Sequence, residues 1–184
     1  DAGKEAFANL DTSGSVEIME LDLGSLASIR AFAEAFKAKY NRLDGLVNNA
    51  GIMAVPKGKT VDGFESQFGV NHLGHFLLTE LLLDTIKASA PARIVNVSSV
   101  AHAGMQGIYG EIVFDDLHFE KREYNAGVAY AQSKFANVLY ALNLARRLEG
   151  TGVTAFSVHP GWIRSNLVAG SAGPVGRFVQ NVLM

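Results

Sequence analysis

The stretch NAGVAYAQSKFANVLYALNLARRLEGTGVTAFSVH, residues 125–159, contains the two patterns that decide the fold class. Its apolar residues recur at alternating spacings of three and four from Val128 to Ala145, which predicts an amphipathic helix over residues 125–149. Gly150 and Gly152 end that helix, and residues 153–159 then predict a strand that a Pro-Gly pair closes. A helix that runs directly into a strand is typical of a parallel sheet with crossover helices.

The same alternation of strand-like and helical runs extends back towards residue 1. Gly24 and Ser25 begin a helix with one apolar face, and Asp62 followed by Glu65 resembles a capping box for a long, interrupted helix to about residue 89. Pro91 ends that helix, and residues 100–124 predict a loop with short elements. Further strands are predicted at residues 16–21, 45–48 and 93–98. The order β-α-β-α-β-loop-α-β predicts an α/β fold with a Rossmann-like, doubly wound parallel sheet.

The composition is that of a globular chain and excludes several classes of function. The 184 residues are 48% hydrophobic and 18% charged, which is enough apolar material for a core. The formal net charge of −2 argues against a nucleic-acid binder, whose affinity depends on excess Lys and Arg. The absence of cysteine excludes disulfides, thiolate metal sites and cysteine nucleophiles, and it fits a reducing compartment. No apolar run approaches the roughly 18 residues of a membrane span, so we expect no membrane segment in this chain. We expect a cytoplasmic location, and an anchor or targeting segment upstream of Asp1 stays open.

Both ends of the sequence look like cuts inside a longer chain. Residue 1 is Asp, and an apolar run from Phe178 to Met184 reaches the last residue without a stop signal. No internal repeat, low-complexity tract or linker separates the two ends. The sequence therefore predicts one incomplete domain over residues 1–184.

Four segments follow predicted strands and are candidate ligand contacts. In open parallel sheets, ligands bind beyond the carboxyl ends of the strands. Small residues at such places let a flat ligand approach the backbone, although a tight turn explains Asn and Gly equally well. In chain order, the rule selects Asp22 and Leu23, then Asn49, Ala50 and Gly51, then Ser98 and Ser99, and finally Pro160 and Gly161.

Tyr130 and Lys134 stand four residues apart on the predicted helix and therefore share one of its faces. An ammonium close to a phenol favours the phenolate and lowers the pKa of the tyrosine from near 10. A tyrosine of this kind can exchange a proton with a hydroxyl or carbonyl group near neutral pH. The alternative interpretation is an ordinary exposed Tyr and Lys on a helix surface.

Other polar residues allow two interpretations each. Ser98 and Ser99 could polarise a carbonyl oxygen or simply cap a strand end, and no G-x-S-x-G elbow surrounds them. Asn71 lies inside a helical stretch, where Asn is unfavourable unless it has a role, a kink or an exposed position. His72 and His75 are three residues apart, but without an obvious third ligand we expect no metal site.

Taken together, these residues resemble the short-chain dehydrogenase/reductase family. The stretches at residues 67–76, 93–102 and 159–161 resemble its retinol dehydrogenase and WW-domain oxidoreductase branch. The resemblance spans nearly the whole chain, and it implies hydride transfer between a nicotinamide cofactor and an apolar alcohol or carbonyl substrate, such as a retinoid, steroid or aldehyde. The shared features, in family order, are Asn48-Asn49-Ala50-Gly51, Asn71, Ser99, Tyr130-x-x-Ser133-Lys134 and Pro160-Gly161.

The resemblance also implies a role for each residue. Tyr130 would be the general acid/base, and Lys134 would lower its pKa and hold the nicotinamide ribose. Ser99 would polarise the substrate, and Asn71 would anchor a water that relays protons from Lys134. NADP is the cofactor that the branch implies, with NAD as the alternative. The implied cofactor contacts are Asp22 and Leu23 at the adenine, Asn49, Ala50 and Gly51 on the adenosine side, Tyr130 and Lys134 at the nicotinamide ribose, and Pro160, Gly161 and Ile163 beside the nicotinamide.

The sequence departs from the family pattern at its start and in one long segment. The family's first strand and glycine-rich phosphate turn have no counterpart, so the resemblance implies that a first β-α-β unit and a C-terminal part are missing. That turn supplies backbone donors for the pyrophosphate, and the chain as written is expected to bind cofactor poorly. A long segment from about His102 to Glu123 is expected to shape the substrate pocket.

Three further expectations concern assembly and alternative functions. In the family, the helices at residues 62–89 and 125–149 pair across a dimer interface, so the resemblance implies a homodimer. Burial against the sheet alone would explain the same apolar pattern. Two other functions stay open: a non-catalytic relative that binds a partner, and a nucleotide-dependent epimerase of the same architecture.

Overall fold

The computed structural model describes residues 15–104, 107–161 and 167, and a parallel sheet lies at its centre. Its strands are β1 (Gly45–Asn48), β2 (Ala92–Val97) and β3 (Val153–Val158), arranged in the order β1-β2-β3. Their parallel register places the carboxyl ends of all three strands at one edge of the sheet. The strands predicted at residues 45–48, 93–98 and 153–159 are confirmed to within one residue, and so is the Rossmann-like fold class.

Helices connect the strands and supply most side chains of the candidate site. Helix α1 (Leu26–Lys39) precedes β1, and α4 (Ala126–Arg147) precedes β3. The long helical stretch between β1 and β2 has three parts, α2 (Ser66–Phe68), a π-helical segment (Gly69–Gly74) and α3 (His75–Ala88). Two 3₁₀ turns, Val100–Ala103 and Phe114–Asp116, lie in the predicted loop. Among the described residues, no helix combines the length and apolarity that a membrane crossing requires.

Side-chain caps set where helices α1 and α4 begin. The Ser25 hydroxyl accepts a hydrogen bond from the backbone N–H of Ser28, and the Asn125 side chain accepts two from the first turn of α4. Such caps satisfy backbone donors that have no partner within the helix. Helices α1 and α4 therefore begin where the sequence predicted.

The predicted capping box at Asp62 is wrong. Glu65 caps α2 instead, because its carboxylate accepts the backbone N–H groups of Gln67 at 2.9 Å and Phe68 at 2.7 Å. The Asp62 carboxylate accepts from the backbone N–H of Leu26 at 2.8 Å, 36 residues earlier in the chain. Asp62 thus serves the first turn of α1, a pairing that local spacing cannot reveal.

The main hydrophobic core lies between the sheet and the helices. Ile94 of β2 clusters with Ile29 of α1, Leu82 and Ile86 of α3 and Leu144 of α4, and each of these side chains is fully buried. Burying an aliphatic side chain of this size contributes about 1.5–3 kcal/mol. This packing fixes α3 and α4 against the sheet, so the side chains that they present at its carboxyl edge have defined positions.

The strand predicted at residues 16–21 is wrong for the part of the chain that the structure describes. These residues have no hydrogen-bonded neighbouring strand there, and the sheet has three strands instead of the four predicted. Val16 and Ile18 are exposed, whereas Leu21 packs against the core. An apolar run indicates side chains that can be buried, but a strand also needs a partner backbone to satisfy its N–H and C=O groups.

Candidate active site

The four candidate catalytic residues come from three elements and meet at the carboxyl edge of the sheet. Asn71 lies in the π-helical segment, Ser99 directly follows β2, and Tyr130 and Lys134 lie on α4. Tyr130 and Lys134 are 6% and 3% exposed, so the interpretation as an exposed surface pair is wrong. Burying a phenol hydroxyl and an ammonium costs folding free energy unless neighbouring groups form hydrogen bonds with them. Buried ionisable groups of this kind are candidates for a functional site.

Lys134 is held by a backbone carbonyl that the sheet leaves available. The register of β1 with β2 ends at the pair of Asn48 and Asn96, so Val97 has no partner in β1. The Lys134 Nζ atom donates to the Val97 carbonyl oxygen at 3.0 Å. Burial lowers the pKa of Lys134 to about 8, because desolvation disfavours the charged form. The group therefore keeps most of its charge at pH 7 and loses it just above.

Tyr130 differs from the sequence expectation in its acidity. Burial raises the pKa of Tyr130, and a hydrogen bond with the Ser99 side chain acts in the opposite direction without cancelling the effect. The Lys134 Nζ atom lies 5.6 Å from the centre of the Tyr130 ring. The expectation that Lys134 brings the pKa of Tyr130 below its ordinary value is wrong in this structure, because desolvation of the phenolate outweighs the neighbouring groups.

The two serines after β2 have different tasks. Ser98 is buried, and its hydroxyl donates to the backbone carbonyl of Lys134 at 2.8 Å, which ties β2 to the middle of α4. Ser99 is half-buried, its side chain lies close enough to Tyr130 to offset part of the rise in the pKa of that phenol, and it caps the turn at Val100–Ala103. Of the two hydroxyls, only that of Ser99 therefore lies beside the candidate acid/base, as the family resemblance implied.

Asn71 braces the loop that follows β1. Its Oδ1 atom accepts from the backbone N–H of Ile52 at 2.8 Å, and its Nδ2 atom donates to the Ile52 carbonyl at 2.9 Å and to Ser133 Oγ at 3.0 Å. The side chain is fully buried, so an exposed position is excluded. The implied water relay from Lys134 stays a prediction. What the structure adds is that Asn71 joins the loop after β1 to α4.

Gly51, the last residue of the Asn49-Ala50-Gly51 turn, lies close to Asn71 and Lys134. A Cβ atom at this position would lie 3.0 Å from Asn71 Oδ1 and 3.7 Å from Lys134 Nζ. Asn49 and Ala50 are exposed beside it. The sequence argument that small residues let a ligand approach the backbone therefore applies most directly to Gly51.

The remaining implied cofactor contacts lie before α1 and after β3. Asp22 is exposed, and its carboxylate accepts from the backbone N–H of Gly24 at 2.8 Å. Leu23 packs against the core. Pro160 and Gly161 are exposed and follow β3, with Gly161 at a φ of +78° that favours glycine. Ile163 lies outside the described residues.

Gly74 was missed by the sequence analysis and permits the placement of Leu23. A Cβ atom at Gly74 would lie 2.5 Å from the Leu23 carbonyl oxygen, which is a clash with backbone. The end of the π-helical segment and the turn before α1 can touch only because residue 74 is glycine. A glycine inside a helical pattern often has such a packing reason, and this was the available signal.

Gln67 was also missed and connects the two loops that flank the site. Its Oε1 atom accepts from the backbone N–H of Ala54, and its Nε2 atom donates to the Ala126 carbonyl, both at 2.9 Å. Nε2 also donates to the Tyr124 hydroxyl at 2.9 Å, and the side chain is fully buried. A polar residue within an apolar helical run was the signal that could have identified it.

The two histidines of the π-helical junction bind polar groups of the protein. His72 Nδ1 lies 3.0 Å from Asn137 Oδ1, and His75 Nδ1 lies 3.0 Å from the Asn71 carbonyl oxygen. Burial lowers the pKa of His75 to about 4, so this ring is neutral at pH 7. In the described part of the chain, no three His, Cys, Asp or Glu side chains are grouped to hold a metal ion.

The segment from His102 to Glu123 is anchored to α4 through Gln132. This side chain is fully buried, its Nε2 atom donates to the Leu117 carbonyl at 3.0 Å, and its Oε1 atom accepts from Arg122 at 3.0 Å. The contribution of the segment to a substrate pocket stays a prediction.

Comparison with known proteins identifies relatives of the whole arrangement. A family model described as "short chain dehydrogenase" matches residues 1–112. Human "Retinol dehydrogenase 12" is 57% identical over 164 residues, which are 89% of this chain and 50% of that protein. Human "Retinol dehydrogenase 11" is 55% identical over 88% of this chain and 49% of that protein. The chain thus spans about half the length of the curated relatives that it matches.

Solved structures show the same fold. A putative uncharacterized protein from Mycobacterium paratuberculosis has a TM-score of 0.75 at 45% identity, over 92% of this chain and 59% of its own. A 3-oxoacyl-[acyl-carrier protein] reductase from Brucella melitensis in complex with NAD has a TM-score of 0.66 at 25% identity, over 85% and 58%. The RhlG/NADP active-site complex from Pseudomonas aeruginosa has a TM-score of 0.63 at 28% identity, over 91% and 57%.

Proposed function

Because the chain belongs to the short-chain dehydrogenase family, we propose that its site transfers a hydride between a nicotinamide cofactor and the carbon of an apolar alcohol or carbonyl substrate. The observation that carries the proposal is a buried Tyr130 that has both the Ser99 side chain and the Lys134 ammonium beside it. A proton donor, a hydroxyl that can polarise an oxygen and a buried cation are the groups that carbonyl reduction requires.

The residues present fit the ribose of a nicotinamide cofactor. An ammonium has three N–H donors, and among the described residues Lys134 uses one of them, on the Val97 carbonyl. The other donors are available for ligand hydroxyl groups at the carboxyl edge of the sheet. The missing side chain at Gly51 leaves room for a ligand to approach Lys134 Nζ. When bound, the nicotinamide supplies or accepts the hydride.

The protonation state of Tyr130 suits the role of a proton donor. Because burial raises the pKa of Tyr130, its hydroxyl carries a proton at neutral pH and can donate it to a substrate oxygen. The Ser99 hydroxyl and the Lys134 ammonium would then stabilise the phenolate that remains.

We further propose NADP as the cofactor and a retinoid-like alcohol or aldehyde as the substrate. The resemblance to the retinol dehydrogenase branch supports NADP, with NAD as the alternative. The names of the relatives support a retinoid, and a steroid or another apolar aldehyde fits the same chemistry.

The chain completed with the first β-α-β unit that the family resemblance implies, mixed with all-trans-retinal and NADPH, tests the proposal, with the nicotinamide absorbance at 340 nm as the readout. We expect oxidation of NADPH by the wild type and its loss in Tyr130→Phe. Parallel reactions with NADH distinguish the two nucleotides, and parallel reactions with a steroid ketone distinguish the substrate classes. No turnover with any pair, or equal turnover in Tyr130→Phe, would contradict the proposed function.

We also propose that the chain forms a homodimer through α3 and α4. Exposed apolar side chains on these helices support this: Phe76 on α3, and Leu139 and Leu142 on α4. Light scattering over a range of concentrations tests it, and a constant monomer mass would contradict it. The cytoplasmic location stays a prediction, for which cell fractionation is the direct test.

A further inference from the structure

Asn137 lies three residues after Lys134 on α4 and contacts three groups in two other elements of the site. Its Nδ2 atom donates to the Asn71 carbonyl at 3.1 Å and to the Val97 carbonyl at 3.2 Å. Its Oδ1 atom lies 3.0 Å from His72 Nδ1. The side chain is 1% exposed, so these contacts are made out of water. One amide group therefore joins β2, the π-helical segment and α4.

The orientation of this amide follows from its partners. The Val97 and Asn71 carbonyl oxygens only accept hydrogen bonds, so the nitrogen of the Asn137 amide must face them. The amide oxygen then faces His72, and His72 Nδ1 must carry a proton to donate to it. Each hydrogen of the NH₂ group and the amide oxygen thus has a defined partner, and the side chain has no second arrangement that satisfies all three.

The Val97 carbonyl is the point at which Asn137 and Lys134 meet. Because the pairing of β1 with β2 ends at Asn48 and Asn96, this carbonyl is left for side chains. Lys134 Nζ donates to it at 3.0 Å and Asn137 Nδ2 at 3.2 Å. The two donors share one oxygen, so the position of one depends on the other.

Asn137 also holds the carbonyl of a second candidate catalytic residue. The Asn71 carbonyl accepts from Asn137 Nδ2 and lies 3.0 Å from His75 Nδ1. The Asn71 side chain also forms two hydrogen bonds with the backbone of Ile52, the residue after Gly51. The amide of Asn137 thus fixes the distance between the Asn71 backbone and the Val97 carbonyl that holds Lys134.

We propose that Asn137 is a positioning residue of this site: its amide ties the Val97 carbonyl to the Asn71 carbonyl and so sets where the Lys134 ammonium lies. Its effect on turnover rests on the proposed function, but its effect on Lys134 does not. Asn137 acts on Lys134 through the Val97 carbonyl, to which both side chains donate, and on Asn71 through the Asn71 carbonyl.

A direct titration of Lys134 tests the proposal without any cofactor. The protein is labelled with [ε-¹³C]lysine, the Lys134 signal is assigned by Lys134→Arg, and its shift is followed by NMR from pH 6.5 to 11. In Asn137→Leu, the Val97 carbonyl no longer accepts from residue 137, so it accepts from Lys134 alone. The positive end of the Asn137 amide dipole near the ammonium is also removed. Both changes favour the ammonium, so we expect the Lys134 titration midpoint to rise by about half a unit to one unit.

The matched control is Gln132→Leu, a second buried amide on α4 whose partners are Leu117 and Arg122. A purely structural role for Asn137 predicts that both variants lose stability and that neither moves the Lys134 midpoint. Asn137→Ala, which is smaller and also lacks the amide donor, provides a second variant if Asn137→Leu does not fold. The titratable neighbours of Lys134 are Tyr130 on α4 and His75 on α3, and the series is repeated with Tyr130→Phe to remove the first.

A raised midpoint in the folded Asn137 variants, but not in Gln132→Leu, supports the positioning role even if no variant turns over a nicotinamide substrate. In that case, the proposed function fails and the positioning role stands. An unmoved midpoint in a folded Asn137 variant overturns the positioning role, whether or not the wild type shows turnover. An equal rise in Gln132→Leu overturns it as well.

Discussion

The two halves of α4 each hold a buried tyrosine, and the partners of these tyrosines differ. Tyr130 and Tyr140 are both 6% exposed. Tyr130 lies beside the Ser99 hydroxyl and the Lys134 ammonium. The Tyr140 hydroxyl donates to the Glu80 carboxylate at 2.8 Å, and this carboxylate further raises the pKa that burial has already raised. The comparison teaches that burial alone does not make a tyrosine an acid/base. An adjacent carboxylate disfavours the phenolate and keeps the proton on the phenol, whereas an adjacent ammonium and hydroxyl stabilise the phenolate.

The largest expected effect comes from removing one hydroxyl at a time. In the chain completed with its missing first β-α-β unit, Tyr130→Phe should lower kcat by about 10²–10⁴-fold, the usual contribution of a positioned acid/base, and leave cofactor affinity nearly unchanged. Tyr140→Phe removes the same atom from the same helix and should keep kcat within about twofold, with a modest loss of stability. Steady-state kinetics and cofactor titrations of both variants make the measurement. A Tyr130→Phe variant with near-normal kcat would remove the distinction between the two tyrosines.

Lys134→Met removes the cation from the amino-terminal half of α4 and keeps the length of the side chain. We expect cofactor binding to weaken and kcat to fall by about 100-fold, because a buried donor to ligand hydroxyls and to the phenolate is lost. Lys37→Met, on the exposed last turn of α1, is the matched control. Kinetics at several cofactor concentrations separate the two losses. If only solubility changed, Lys134 would have no more role in the site than Lys37.

Gly51→Ala tests how tightly Asn71 and Lys134 are packed together. The new Cβ atom would lie 3.0 Å from Asn71 Oδ1, so that side chain must move by a few tenths of an ångström. We expect a several-fold rise in KM for the cofactor and a destabilisation of about 1 kcal/mol. The control is Gly45→Ala in β1, where a Cβ atom meets nothing within 4 Å. If the two variants behaved equally in ligand titration and in urea unfolding, the prediction that the site has no room for a side chain at position 51 would be wrong.

The elements that could be predicted from the sequence are those that a local pattern specifies. Helix α4 and β3 follow from periodicity, and the pairing of Tyr130 with Lys134 follows from a spacing of four on that helix. The family resemblance identified Asn71, Ser99, Tyr130 and Lys134 as a set, and the structure places them at one edge of the sheet. A residue spacing or a short motif identifies these elements and residues without any information on tertiary contacts.

The features that could not be predicted depend on contacts between distant parts of the chain. The direction of the Tyr130 pKa shift is set by burial, which the sequence does not display. Asp62 caps a helix that begins 36 residues earlier, and a strand at residues 16–21 would have needed a partner backbone. Asn137 is the instructive case, because an Asn inside a helix was recognised as a signal at Asn71 and the same argument applied to it.

The smallest expected effect lies in the carboxyl-terminal half of α4, where Arg147 grips the Glu80 carboxylate at 2.7 and 2.9 Å. The Arg147 guanidinium holds the pKa of Glu80 below its ordinary 4.5, so the stabilisation is present above about pH 4.5 and is lost as the pH falls through the lowered pKa. Since the pair is partly exposed, we expect Glu80→Gln to cost only about 0.2–1 kcal/mol at pH 7 and less at pH 3. Urea unfolding at both pH values measures this, with Asp84→Asn on the exposed side of α3 as the control.

Turnover should be unchanged in Glu80→Gln, because Tyr140 and Glu80 do not belong to the group of side chains at the carboxyl edge of the sheet. A pH-independent difference in unfolding free energy would contradict the ion-pair account, and a large loss of kcat would contradict the separation between the two halves of α4.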